Sequence, residues 1–84
     1  MLHLDDTILI TGCGSGIGQA LARAFHQQGF KVCATARRAD TLQPLAHQGL
    51  LTRTLDVTDD AAVVALLNEL TASGHQVGAL VNNA

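Results

Sequence analysis

Thr11-Gly12-Cys13-Gly14-Ser15-Gly16-Ile17-Gly18 lies between an apolar run, Thr7-Ile8-Leu9-Ile10, and a segment with helical spacing, Gln19-Ala20-Leu21-Ala22-Arg23-Ala24-Phe25. Strand, glycine-rich turn and helix, in that order, form the setting in which such a turn holds phosphate. Free backbone N–H groups at the helix start and the positive end of its dipole both favour an anion there. The glycines have separate tasks. One makes the tight turn, one lets the backbone approach a pyrophosphate, and one lets the helix pack closely on its strand. The register matters. G-x-G-x-x-G read from Gly12 fails, because its sixth position is Ile17; T-G-x-x-x-G-x-G fits from Thr11 to Gly18. No Gly-Lys-Ser/Thr follows, so this is not a Walker A loop. A glycine-rich turn without a ligand is the plain alternative.

Working outward, four β-rich apolar segments alternate with three helical ones. This predicts βαβαβαβ and a parallel sheet with right-handed crossovers. The strands are expected at 7–11, 31–36, 51–55 and 77–82. The first helix is expected over 16–28, with Ile17, Leu21 and Phe25 on its buried face, Ala20 and Ala24 beside them, and Gly29 ending it. The second is expected over 41–48. Asp40 or Thr41 would cap it, and with Thr41 as cap Pro44 falls in the first turn. The third follows Thr58 as cap, with Asp59 and Asp60 in its first turn and Val63, Leu66, Leu67 and Leu70 facing the core.

With 84 residues the chain makes at most one small domain. It has no Trp, no Tyr and only Phe25 and Phe30, so its core must be aliphatic, as suits a parallel sheet covered on both faces. A net charge of −2 points to neither nucleic acid nor an anionic membrane. Met1-Leu2-His3-Leu4-Asp5-Asp6 lacks the pattern of a secretion signal, and no apolar run is long enough to cross a bilayer. Cys13 and Cys33 do not make a disulfide framework, and a reducing cytoplasm is the expected compartment. Cys13 reads as a small turn residue rather than a reactive thiol. His3, His26, His47 and His75 have no metal-ligand spacing and read as surface residues.

The end of the second strand carries the next chemical signal. In dinucleotide folds an acid about 20 residues past the glycines binds the ribose 2′-hydroxyl of NAD, and an Arg there accommodates the 2′-phosphate of NADP. Here Ala36 stands where the acid would be, and Arg37 and Arg38 follow. Two guanidinium groups can grip a phosphate, one of them bidentate or stacked on adenine. Two solvated loop charges are the alternative. Together with the glycine loop, the pair favours NADP(H) over NAD(H).

These features resemble the short-chain dehydrogenase/reductase family. Thr11-Gly12 with Gly16 and Gly18 matches its coenzyme loop, Asp56-Val57 its Asp-Val pair, and Asn82-Asn83-Ala84 the first three residues of its Asn-Asn-Ala-Gly motif. The motifs come in family order and at family spacing over the whole chain. The resemblance implies a Rossmann-like, doubly wound parallel sheet, truncated after its fourth strand. It implies that Gly12, Ser15 and Ile17 lie against the cofactor phosphates and ribose, with Gly16 and Gly18 shaping the same loop. Arg37, with Arg38 beside it, would meet the 2′-phosphate. Asp56-Val57 would contact the adenine, and Asn83, with Ala84 after it, would lie near the nicotinamide-side ribose. Asn82 would brace the sheet. Asp56 as a helix cap, and Asn82-Asn83 as a polar strand end, are the plainer readings.

Family members are longer and reduce carbonyls with a Tyr-x-x-x-Lys pair, a Ser and an Asn placed downstream. This chain has no Tyr, and its single Lys, Lys31, opens a strand. Residues 1–84 are therefore expected to be the amino-terminal half of an NAD(P)-binding domain without its catalytic half, and inactive alone. The intact relative would transfer a hydride between NADP(H) and a small carbonyl or alcohol substrate. Ending one residue short of the expected Gly looks like truncation, leaving the Ala79-Leu80-Val81 edge open to self-association. A non-catalytic nucleotide- or partner-binding module is the rival reading. A methyltransferase with a related sheet is a second, against which Ala36-Arg37 argues.

Overall fold

The computed structural model describes residues 5–83. Four parallel strands, β1 (Thr7–Ile10), β2 (Lys31–Ala36), β3 (Leu51–Thr54) and β4 (Val77–Val81), form one sheet in the order β3-β2-β1-β4. The helices α1 (Gly16–Gln27), α2 (Gln43–His47) and α3 (Asp60–Ala72) connect them. This is the expected Rossmann-like α/β arrangement.

Alternation along the central strands builds a core on each face of the sheet. Ile8, Ile10, Val32, Ala34 and Ala36 point to one side and pack with Ala22 of α1 and Leu45 of α2. Leu9 and Cys33 point to the other, where Leu66 and Leu70 of α3 cover them. Burying each large aliphatic side chain contributes about 1.5–3 kcal/mol, so the two central strands dominate the stability.

Several elements depart from the sequence expectation, each for a local reason. β1, β3 and β4 each end one residue earlier than expected; the Thr11 and Leu55 amides make the last bonds to the neighbouring strands, to the Val81 and Ala36 carbonyls, and the chain then turns into the loops above the sheet. On α1 the buried positions are Gly18 and Ala22, with Leu21 and Phe25 partly buried. Ile17 is not a core residue: it is 71% exposed, and Ala20 and Ala24 are exposed as well. The helix is turned so that its small residues face the sheet, and this brings its backbone close to the strands.

The second helical segment is not one helix. A single 3-10 turn, Ala39–Leu42, precedes α2. Neither Asp40 nor Thr41 caps α2, because the Thr41 hydroxyl donates backwards to the Arg38 carbonyl at 2.7 Å and Asp40 pairs with Arg38. Pro44 does fall in the first turn. The cap of α3 is Asp59, whose carboxylate accepts from the Ala62 amide at 3.1 Å. Thr58 instead donates to Asp56.

Gly29 ends α1 as expected. At φ 94° it occupies the left-handed region, which lets the Gly29 amide reach the His26 carbonyl and the Phe30 amide reach the Phe25 carbonyl. The Phe25 and Phe30 rings then meet edge to face, 5.9 Å apart. The same pair of backbone bonds closes α2 at Gly49 and α3 at Gly74, so all three helices hand the chain back to the sheet in one way.

Candidate functional site

All four strands run parallel, so their carboxyl ends share one edge of the sheet, where ligands of open α/β folds bind. The loop from Thr11 to Ser15 sits on that edge above β1. It is tied on one side to β2, where the Cys13 amide donates to the Thr35 carbonyl at 2.8 Å. On the other side it is tied to the end of β4. The Thr11 hydroxyl donates to Asn82 Oδ1 at 3.0 Å and accepts from the Asn83 amide at 2.9 Å, while Asn83 Nδ2 donates to the Gly12 carbonyl at 3.4 Å. Asn82 thus braces the sheet, and Asn83 is held against the glycine loop.

Two glycines are required by this geometry. Gly12 has φ 68°, a region that side chains other than Gly rarely adopt. Gly18 lies so close under the loop that a Cβ there would overlap the Gly12 carbonyl oxygen and stand 2.6 Å from Asn83 Nδ2. Cys13 is fully buried, its Sγ 3.4 Å from the Ile10 carbonyl, and burial pushes its thiol up. That environment suits a packing residue and not a nucleophile.

A cleft of about 790 Å³ opens between the glycine loop and the ends of β2 and β3. Gly12, Gly14 and Ser15 form one wall. Ala36, Arg37, Arg38 and Thr41 follow from the end of β2, and Leu55-Asp56-Val57-Thr58 close the far side. The Asp56 carboxylate is held in a tight turn. Its Oδ1 accepts from the Thr58 hydroxyl at 2.6 Å and the Thr58 amide at 2.9 Å, and its Oδ2 faces Arg37 Nη2 at 3.7 Å. Chiefly because of the Thr58 bonds, and to a lesser degree the Arg37 charge, the carboxyl titrates below the usual carboxylate value. Arg38 pairs locally with Asp40 at 3.1 Å.

Of the residues singled out in the sequence, Gly12, Ser15, Arg37, Arg38, Asp56 and Val57 meet in this cleft. Gly16, Ile17 and Gly18 do not line it: Gly16 and Ile17 are exposed at the start of α1, and Gly18 supports the loop from beneath. Asn83 lies behind Gly12, and Ala84 is outside the described residues. Gly14, Thr41, Leu55 and Thr58 line the cleft as well, beyond the residues expected from the sequence. Thr41 and Thr58 stand in the sequence beside the arginines and Asp56, but a polar residue just ahead of a helical segment has the pattern of a cap, and that masks their place in the cleft.

The chemistry of this cleft fits a nucleotide. Its volume lies within the ordinary range for small-ligand sites. Ala36, Leu55 and Val57 offer apolar surface, and Arg37 and Arg38 bring two guanidinium groups to the same lining. Gly14 keeps its wall clear of Thr41: a Cβ there would come within 3.1 Å of Thr41 Oγ1.

The profile of the family described as short chain dehydrogenase matches residues 6–84. The chain belongs to the short-chain dehydrogenase family. Among its relatives in that family, the NADPH-dependent 1-acyldihydroxyacetone phosphate reductase of Schizosaccharomyces pombe is 46% identical, over 99% of this chain and 29% of that protein. The serine 3-dehydrogenase of Agrobacterium fabrum is 43% identical, over 96% of this chain and 34% of that protein. A short-chain dehydrogenase structure from Streptomyces avermitilis superimposes with a TM-score of 0.89 at 34% identity, covering all of this chain and 32% of that one. This short-chain dehydrogenase chain therefore spans about a third of the length of the relatives it matches. Among its described residues no helix is long and apolar enough to cross a membrane, and no group of His, Cys, Asp and Glu could hold a metal ion.

Proposed function

We propose that the 84 residues form the coenzyme-binding part of an NADP(H)-dependent short-chain oxidoreductase. The single observation that carries this reading is the end of β2, where Ala36 leaves no acid and Arg37 reaches into the cleft beside the glycine loop. An acid at that position would repel a 2′-phosphate, whereas a guanidinium attracts it. The names of two relatives support the preference. The Schizosaccharomyces pombe reductase is NADPH-dependent, and a 40% identical 3-hydroxy acid dehydrogenase of Salmonella typhi is NADP-dependent.

In this reading Gly12, Ser15 and the start of α1 hold the pyrophosphate, Val57 and Asp56 hold the adenine, and Arg37 holds the 2′-phosphate with Arg38 beside it. Asn83 keeps the loop in position and borders the nicotinamide-side ribose. Once bound, the nicotinamide supplies hydride to, or accepts it from, a carbonyl or alcohol. The protein's share of that work is orientation. Because the chain has no Tyr, it holds no phenol to donate a proton to a carbonyl oxygen, and it should bind without turning over.

Emission from the reduced nicotinamide tests the proposal. NADPH is expected to bind about tenfold more tightly than NADH, and Arg37→Ala to remove most of that difference, as for the loss of one charge-assisted contact. Equal affinities for the two nucleotides, or tighter NADH, would refute it.

A further inference from the structure

Arg37 and Arg38 adjoin in sequence, but their acidic partners differ in kind. Arg38 is answered by Asp40 on its own turn, at 3.1 Å. Arg37 is answered by Asp56 from the far wall, across the junction between the ends of β2 and β3, at 3.7 Å. Both members of this second pair line the cleft. The carboxylate is also fixed in direction. Thr58 takes Oδ1 through both its hydroxyl and its amide, and Oδ2 is left turned towards the guanidinium.

We propose that Asp56 sets cofactor selectivity from inside the cleft, acting as a built-in competitor for the Arg37 guanidinium that moderates the preference for a 2′-phosphate. The inference rests on the reading above that Arg37 meets that phosphate. The pair is long, with 78% of the Arg37 side chain and 41% of the Asp56 side chain exposed, so a phosphate displaces it readily. Displacement does not remove the carboxylate. Thr58 keeps it in place, and it then faces the incoming anion as a like charge. A ligand without the 2′-phosphate meets neither the competition nor the repulsion. Asp56 thus bears on the ratio of the two affinities, whereas a residue that only touches the adenine bears on both equally. Thr58 is the positioning residue of this arrangement.

The test is Asp56→Asn, which keeps the shape and the acceptor for Thr58 while removing the charge. The full chain is titrated with 2′,5′-ADP and with 5′-AMP, and binding is followed through backbone amide resonances, which also report that the fold is intact. The affinity ratio of 2′,5′-ADP to 5′-AMP should rise about three- to tenfold over wild type, the effect of removing one exposed like charge near a phosphate. The affinity for 5′-AMP reads the adenine contact that both ligands share, so a change in that contact cancels from the ratio. Should Asn disturb the turn, Asp56→Ser carries the same expectation, since its hydroxyl also accepts from a nearby amide. An unchanged ratio overturns the inference, because Asp56 would then serve only the shared adenosine portion. A lower ratio overturns it too, since the acid would then be pre-orienting Arg37 for the phosphate. If wild type shows no preference for 2′,5′-ADP at all, the NADP(H) reading fails first, and this inference with it.

Discussion

Gly18→Ala should loosen the glycine loop from beneath. The new Cβ would overlap the Gly12 carbonyl oxygen and lie 2.6 Å from Asn83 Nδ2, and the first of these neighbours is backbone that cannot rotate away. Because the overlap is with backbone, the cost lies in the upper part of the overpacking range, about 2–3 kcal/mol, offset by about 1 kcal/mol of better helix propensity at the start of α1. The expected net loss is about 1–2 kcal/mol, which for a chain of this size lowers the melting temperature by about 5–12 °C. Gly16→Ala is the matched control. Gly16 has φ 61° and open space around it, so Ala there meets only left-handed backbone strain, about 1 kcal/mol. Thermal unfolding by circular dichroism ranks the two. Amide spectra separate them by mechanism, since only Gly18→Ala should move the Thr11 and Asn83 resonances. A Gly18→Ala protein that melts within about 2 °C of wild type, with the Asn83 amide unmoved, would refute the argument that close approach is why Gly stands there.

Cys13 and Cys33 are fully buried, and burial pushes the Cys33 thiol up to about 11. Neither should react with a disulfide reagent at mildly alkaline pH until the chain is unfolded, and fast labelling of the native protein would contradict the packing described. Asp56 titrates below its ordinary value of 3.8, so its contribution to stability is present above that value and is lost as pH falls through the lower folded one. Asp56→Asn should therefore flatten the acid limb of the denaturation curve below about pH 4; an identical acid limb in both proteins would count against the Thr58 bonds. β4 lies at one edge of the sheet with Leu80 58% exposed, so sedimentation should show association rising with concentration and weakening in Leu80→Lys. A monomer throughout the concentration series would sink that expectation.

The layout of the sheet was legible because its signals are local. Apolar runs, Gly29 at the end of the first helix, and the T-G-x-x-x-G-x-G register each speak through adjacent residues. Finer features were not, because they depend on which of two neighbours wins a contact. Thr58 and Asp59 are both good caps, and Thr58 is diverted by Asp56 just before it. Thr41 is diverted in the same way by the Arg38 carbonyl. Ile17 has the spacing of a core residue, yet the close approach of Gly18 and Ala22 to the sheet turns it outward. The Arg37–Asp56 pair is a different case. Periodicity cannot reveal it, because it exists only once β3 has paired beside β2.

The glycine motif dictates the loop's shape, but its location comes from pairings far along the chain. The Cys13 amide takes its bond from β2 and Thr11 takes its partners from the end of β4, so the loop is suspended between the strands on either side of β1. The wall carrying Arg37 belongs to β2, and the wall carrying Asp56 follows β3, which pairs in register with β2 from Cys33↔Leu51 to Ala36↔Thr54. A one-residue slip in that register would turn every β3 side chain to the opposite face and draw Asp56 away from Arg37. The side of the cleft that would read a 2′-phosphate therefore depends on the β2–β3 ladder, and the seat of the glycine loop depends on β4. Damage at β4 should loosen the loop before it alters discrimination between phosphorylated and unphosphorylated ribose, and damage at β3 should do the reverse.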